Sequence, residues 1–215
     1  MSIKIYNPQL ANEVASDLLR IGAIKLSPDQ PFTWASGWKS PIYCDNRLSL
    51  SQPAVRSKIK TALALAISNS FSGIDAIAGV ATAGIPQGAL VADELDLPFL
   101  YVRSKSKGHG LQNLIEGKLE KGQKVLLIED LVSTGGSSLA AADALREAGA
   151  EVVGMAAIFT YGFPVAEENF KSHDVDLVVL SDYNHLLEYA QDERMFENDI
   201  LKTLKEWRTD PGNWN

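Results

Sequence analysis

The 215-residue sequence holds a single cysteine, Cys44, which excludes an internal disulfide framework and any cysteine-based zinc cluster. One thiol suits a reducing compartment, so a cytoplasmic location is expected. Long hydrophobic runs are also missing. The longest apolar stretch, residues 152–165, is broken by Gly154, Thr160, Gly162 and Pro164 and falls short of the ~20 residues a membrane span needs. The opening residues, MSIKIYNP, contain no basic segment followed by an apolar one, so no secretory signal is expected. Positive charge is scarce: 20 Lys and Arg stand against 27 Asp and Glu, a formal net charge of −7. No global field therefore favours a nucleic-acid backbone or an anionic membrane as partner, and any phosphate must be held locally. Repeats, low-complexity segments and flexible linkers are absent, which argues for one domain over residues 1–215. Neither G-x-x-x-x-G-K-[ST] nor G-x-G-x-x-G occurs, which excludes a P-loop and a dinucleotide-binding loop.

What is present reads as an α/β chain. Asn7-Pro8 opens a segment with Leu10, Val14 and Leu18 four apart, predicting an amphipathic helix that ends near Gly22. Residues 32–46 mix aromatic and turn residues and predict a short hairpin. Pro53 starts a second helix with Val55, Ile59, Leu63 and Ile67 on one face. Apolar strands are then predicted at 74–80, 99–102, 124–128, 152–159 and 177–180, with helices over 87–95 and 137–148. Short, continuously apolar strands separated by helices predict a parallel sheet covered on both faces. Ligands in such sheets bind beyond the carboxyl ends of the strands, which directs attention to the loops after Val80, Val102 and Ile128.

The third of those strands begins VLLIEDLVSTGGSS at Val125. Two adjacent carboxylates, Glu129 and Asp130, precede a Ser/Thr/Gly-rich turn and a helix start. Gly135 and Gly136 let a ligand approach the backbone, and the helix N-terminus offers free N–H groups with a partial positive charge. Thr134, Ser137 and Ser138 add hydroxyl donors. Two acids beside an anion cradle need a partner other than phosphate, and a ribose diol supplies two hydroxyl donors to a carboxylate. A sugar phosphate is the ligand this order implies. The second segment, YVRSKSKGHG from Tyr101, packs Arg103, Lys105, Lys107 and His109 into seven residues of an acidic chain, with Gly108 and Gly110 as hinges. Such a cationic loop can close over a highly charged anion and stabilise its departure, and His109 can move a proton near neutral pH. A third segment, GVATAGIP from Gly79, reads as a tight turn onto a helix N-terminus.

The segment at Val125 resembles the phosphoribosyl-diphosphate (PRPP) motif of the type I phosphoribosyltransferase family. The spacing of Arg103, Lys107 and His109-Gly110 resembles the catalytic loop of its orotate branch, and FTWASGWKSPIYCD from Phe32 resembles that branch's hood over the pyrimidine. GVATAGIP resembles the loop on the diphosphate side. The resemblance spans about residues 8–160 and implies a type I phosphoribosyltransferase fold: a parallel sheet flanked by helices with a small N-terminal hood. That hood would occupy mainly residues 1–50, with the C-terminal segment as a further candidate contributor. It also implies a reaction of orotate with PRPP giving orotidine 5′-monophosphate and diphosphate, through an oxocarbenium-like transition state. Mg²⁺ would ride on PRPP, with no protein metal ligand expected. Glu129 and Asp130 would hold the ribose diol. Leu131, Val132, Ser133, Thr134, Gly135, Gly136 and Ser137 would hold the 5′-phosphate, and Arg103, Lys107 and His109 would clamp the departing diphosphate, with His109 as a proton donor. Ser133 and Tyr43 would face orotate, helped by Ser36 and Ser40. Family members typically lend the loop to a neighbouring subunit, which implies a homodimer.

The chain departs from some members at Ala35, Ala83 and Ser104, where they carry lysine. The stretch FTYGF from Phe159 offers no match to the arginine that holds orotate's carboxylate in some members. A purine-base enzyme and a PRPP-binding transcriptional regulator without turnover are the alternatives. A DNA-binding extension or basic face would mark the regulator, and neither is visible. His173 and His185 read as surface residues, Trp207 and Trp214 as packing or interface in a peripheral tail, and residues 188–193 as a solvated helix face.

Overall fold

The computed structural model describes residues 3–34, 37–104 and 114–214. Its main sheet has seven strands: β1 (Ile3–Ile5), β6 (Ala76–Val80), β7 (Phe99–Val102), β8 (Ile115–Glu116), β9 (Lys124–Val132), β10 (Glu151–Thr160) and β11 (Leu177–Asp182). They lie in the order β1-β11-β10-β9-β6-β7-β8. All pairings are parallel except β7 with β8, an antiparallel edge that the strand pattern did not predict. Side chains alternate between two cores. Ile77, Leu126, Ile128, Ala156, Ile158, Val178 and Leu180 point to one face. Ala76, Ala78, Val125, Leu127, Met155, Ala157, Leu177 and Val179 point to the other. This two-sided burial is why the central strands read as continuous apolar runs.

Helices α1 (Pro8–Arg20), α2 (Pro53–Ser70), α3 (Gly84–Leu95), α6 (Tyr183–Asp192) and α7 (Asn198–Thr209) pack on the first face. The second is covered by α4 (Gly136–Glu147) and α5 (Pro164–Ser172). The side chain of Asn7 caps α1 by accepting the Leu10 N–H at 2.9 Å, with Pro8 in the first turn where no N–H is needed. Helix α3 starts three residues earlier than predicted. A Cβ on Gly84 would overlap the Ile128 carbonyl, so this glycine lets the helix start sit directly against β9.

Residues 24–44 form two small antiparallel pairs apart from the main sheet: β2 (Ile24–Leu26) with β5 (Ile42–Cys44), and β3 (Phe32–Thr33) with β4 (Lys39–Ser40). The predicted hairpin over 32–46 is therefore shorter, because the chain changes partner at Pro41. There Pro41 has no N–H to continue a ladder, and the buried Ser40 hydroxyl donates to the Ile42 carbonyl at 2.8 Å. Trp207 is fully buried rather than peripheral, and its indole N–H donates to the Lys39 carbonyl at 3.1 Å, tying α7 to β4. Glu188, Asp192 and Glu193 are exposed, as a solvated face requires. Among the described residues no helix is long and apolar enough to cross a membrane.

Candidate functional site

Strand β9 runs four residues past its predicted end, because β10 continues beside it with Ala157 opposite Glu129 and Thr160 opposite Val132. Glu129 and Asp130 thus sit in the strand rather than in the following loop, and their backbone is held by the sheet. Glu129 is only 5% exposed. Its carboxylate accepts the Ser138 hydroxyl at 2.9 Å and the Asp130 N–H at 3.0 Å. Burial and the adjacent Asp130 charge push the Glu129 carboxyl well above its ordinary range, and burial raises Asp130 as well.

The Asp130 carbonyl is held from the other side by Asn46, whose amide donates to it at 2.7 Å. Asn46 also accepts from the Cys44 thiol at 3.3 Å, while its own carbonyl accepts the Ser49 hydroxyl at 2.6 Å. Gln87 donates to Ser49 at 3.2 Å. Asn46, Ser49 and Gln87 are all buried, so a polar network runs from the small strands to the acid pair. Nothing in the local pattern around Asn46 announces this, since its partner lies 84 residues away.

Beyond Val132 the chain turns through Ser133, Thr134 and Gly135 into α4. Gly135 has φ +85°, and a Cβ there would lie 2.7 Å from the Phe170 ring. Both facts demand glycine. The Thr134 carbonyl accepts from Asn169 of α5 at 2.9 Å, which fixes the outer side of the turn. No side chain caps α4, and Gly136 and Ser137 are exposed, so its first N–H groups remain open to a ligand. Val132 differs from its neighbours: its side chain is fully buried and its carbonyl accepts from the Thr160 hydroxyl and the Tyr161 N–H.

Two cavities flank this turn. The first, about 270 Å³, is lined by Thr33, Trp34, Tyr43, Cys44, Leu131, Ser133 and Tyr161. It brings together the two expected base contacts, Ser133 and Tyr43, under the small strands. Ser40 is excluded, being buried and hydrogen-bonded to Ile42. Tyr161 directly follows β10, a strand end that the parallel-sheet rule marks as a ligand position and at which the sequence offers no arginine. The second cavity, about 130 Å³, is lined by Val80, Ala81, Val102, Arg103, Ser104, Leu114, Ser137, Ala140 and Ala141. Arg103 is held there by its N–H to the Leu114 carbonyl, 2.8 Å, and by a 3.5 Å ion pair with Glu116. That ion pair is made by the enclosed Nη1, which has no hydrogen-bond acceptor among the described residues. Ser36, Lys105, Lys107, His109 and Gly110 lie outside the described residues.

A family profile described as "Phosphoribosyl transferase domain" matches residues 49–190. An orotate phosphoribosyltransferase of Bacteroides fragilis is 58% identical over 200 residues, covering 93% of this chain and 94% of that one. The chain belongs to the orotate phosphoribosyltransferase family. Another member, from Porphyromonas gingivalis, is 56% identical and covers 95% of this chain and 98% of its own. The crystal structure of the Aeropyrum pernix orotate phosphoribosyltransferase superposes with a TM-score of 0.74 at 30% identity, over 83% of this chain and 98% of that one. The superposition covers the mostly parallel, helix-flanked sheet described above.

Proposed function

We propose that this protein transfers the 5-phosphoribosyl group of PRPP to orotate, giving orotidine 5′-monophosphate and diphosphate. One observation carries the reading. An acid pair fixed in the end of β9 leads directly into an amide- and hydroxyl-rich turn, and Leu131 and Ser133 of the same segment line a cavity of about 270 Å³. The turn suits the 5′-phosphate, the acids suit the ribose diol, and the cavity suits the pyrimidine.

In this reading N1 of orotate forms a bond to the anomeric carbon while the carbon–oxygen bond to diphosphate breaks. The electron pair leaves with the diphosphate, and the N1 proton is lost. Asp130, with Glu129 behind it, accepts the diol hydroxyls and holds the ring. Ser133, Thr134, Gly135, Gly136 and Ser137 bind the 5′-phosphate, with Leu131 against the base and Val132 contributing only as support. Arg103 meets the diphosphate, joined by Lys107 and His109. Mg²⁺ belongs to this reading as an ion carried by the substrate. The oxygen donors around the turn fit a hydrated ion reached through phosphate oxygens, and such an ion would neutralise diphosphate charge. The protein would work in the cytoplasm as a homodimer that shares its catalytic loop. Mixing Lys107→Ala subunits with Asp130→Asn subunits tests the sharing: regained activity supports it, and none despite subunit exchange opposes it.

The activity itself is tested by diphosphate release from PRPP and Mg²⁺ with orotate, adenine, hypoxanthine, xanthine or uracil. Release with orotate alone is expected. Release with a purine alone would keep the fold and discard the base assignment, and no release despite PRPP binding would favour a regulator.

A further inference from the structure

Asn46 is fully buried, and its side chain makes two hydrogen bonds that only an amide can make together. The Asp130 carbonyl can only accept, so the amide nitrogen faces it, at 2.7 Å. Oδ1 is left for the Cys44 thiol, at 3.3 Å. Burial and the Asp130 charge push that thiol well above its ordinary titration range, so it stays a donor. Cys44 also lines the base cavity. One side chain therefore joins the cavity wall to the strand end that carries the acid pair. The residue is held from behind as well. The Ser49 hydroxyl donates to the Asn46 carbonyl and Gln87 of α3 donates to Ser49, so the chain of bonds reaches the helix that follows β6. A buried amide paired at both ends keeps one orientation.

Position shows what the amide fixes. Strand β6 pairs with β9 only as far as Ile128, so past that residue β10 is the one strand beside β9 among the described residues. The Asp130 carbonyl takes its donor from Asn46 instead of from a further strand. The turn that carries Asn46, residues Asn46–Ser51, is anchored independently of the amide. The Asp45 carboxylate accepts the Arg47 N–H at 3.2 Å, and Arg56 of α2 donates to the Leu50 carbonyl at 2.9 Å. The turn can fold without the Asn46 side chain, whereas the acid pair's backbone leans on it.

We propose that Asn46 is the positioning residue of the acid pair: by holding the Asp130 carbonyl it sets where the Asp130 carboxylate meets the ribose diol. This rests on the PRPP reading above. Two variants of the full chain test it, with kinetics expressed per folded chain. Asn46→Ala removes the donor and should lower kcat/KM for PRPP roughly 10- to 100-fold, the scale of a displaced contact, while KM for orotate stays within about threefold. Asn46→Asp keeps the shape but donates to the carbonyl only when protonated. Its kcat/KM for PRPP, relative to the unaltered protein, should climb about tenfold between about pH 8 and about pH 5.5, while the Asn46→Ala ratio stays flat. The titratable groups around the amide, Cys44, Asp45, Arg47, Glu129 and Asp130, are common to all three proteins, so the ratio reports the substituted group. Unchanged kcat/KM in Asn46→Ala, or an Asn46→Asp ratio that ignores pH, would overturn the proposal and leave the amide a role in stability alone. Equal losses for orotate and PRPP would overturn it too, by assigning the network to the whole pocket. Absence of PRPP-dependent turnover in the unaltered protein would instead strike the functional reading, and this proposal with it.

Discussion

The two sides of the β9 terminus solve opposite problems. On the proposed phosphate side a ligand would be met by backbone: small residues, an uncapped helix start, and a glycine whose φ and contact with Phe170 admit nothing larger. On the proposed base side it would be met by large rings locked against one another, with their polar atoms mostly consumed inside the fold. A charged, flexible group would thus be held by many amide dipoles, and a flat, rigid one by shape with a few placed hydroxyls. The acid pair leads into both, and neither side alone explains it.

Removing the acid that faces the sugar should break this division most severely. Asp130→Asn replaces a double acceptor by a group with one acceptor and one donor, and the ribose diol loses its charged partner. With each such hydrogen bond contributing about 1.5–3 kcal/mol, kcat/KM for PRPP should fall roughly 10²- to 10⁴-fold. Orotate affinity should move far less. A comparable loss for both substrates would mean that the two sides are not separate.

Next in size is the base side. Trp207→Ala removes a fully buried ring that carries contacts to Trp34, Tyr161, Phe163 and Tyr183. It should cost about 3–5 kcal/mol, read as a lower denaturant midpoint. Among chains still folded, KM for orotate should rise more than KM for PRPP. Equal changes would show that α7 supports the whole site rather than the cavity alone.

The contrast between the sides also governs what could be read from sequence. The phosphate turn is local: acids, hydroxyls, glycines and helix start occupy consecutive residues, so the chain announces them together. Helices α1 and α2 were legible for the same reason, each with a proline in its first turn and apolar residues four apart. The cavity is assembled from residues near 33, 43, 131 and 161, and the Asn46–Asp130 and Trp207–Lys39 bonds span 84 and 168 positions. No window of sequence contains such a pairing. Strand β1 and the partner exchange at Pro41 were missed because segments of two or three residues carry no period. The extension of β9 was missed because charged residues inside a buried strand resemble its end until β10 is placed beside it.

The phosphate side has its own, smaller test. Gly135→Ala places a side chain at φ +85° and against the Phe170 ring, for a combined cost of roughly 2–4 kcal/mol. The melting temperature should drop by about 4–16 °C. Adding Phe170→Leu removes the clash but not the backbone strain, so part of the loss should return. Full recovery would mean that packing alone demands the glycine.

The smallest effect concerns the acid that lies behind the site, and its sign is opposite. Glu129 is buried beside Asp130, and both causes favour its protonated form. A carboxyl raised in the folded state contributes stability that is fully present below its unfolded value near 4.5 and is lost as pH rises through the folded value. As pH rises above that unfolded value, the buried acid pair therefore weighs increasingly against the fold. Glu129→Gln removes that charge and keeps an oxygen for the Ser138 hydroxyl, at the cost of the bond accepted from the Asp130 N–H. Its melting temperature should exceed that of the unaltered protein by about 3 °C at pH 7–8, roughly 1 kcal/mol, while kcat/KM for PRPP falls. Scanned downward toward the unfolded value near 4.5, the two melting temperatures should converge. A gap that persists or widens on acidification would show that the buried carboxylate is stabilised by Ser138 more than it is opposed by Asp130, and the acid pair would then be a structural anchor first and a sugar ligand second.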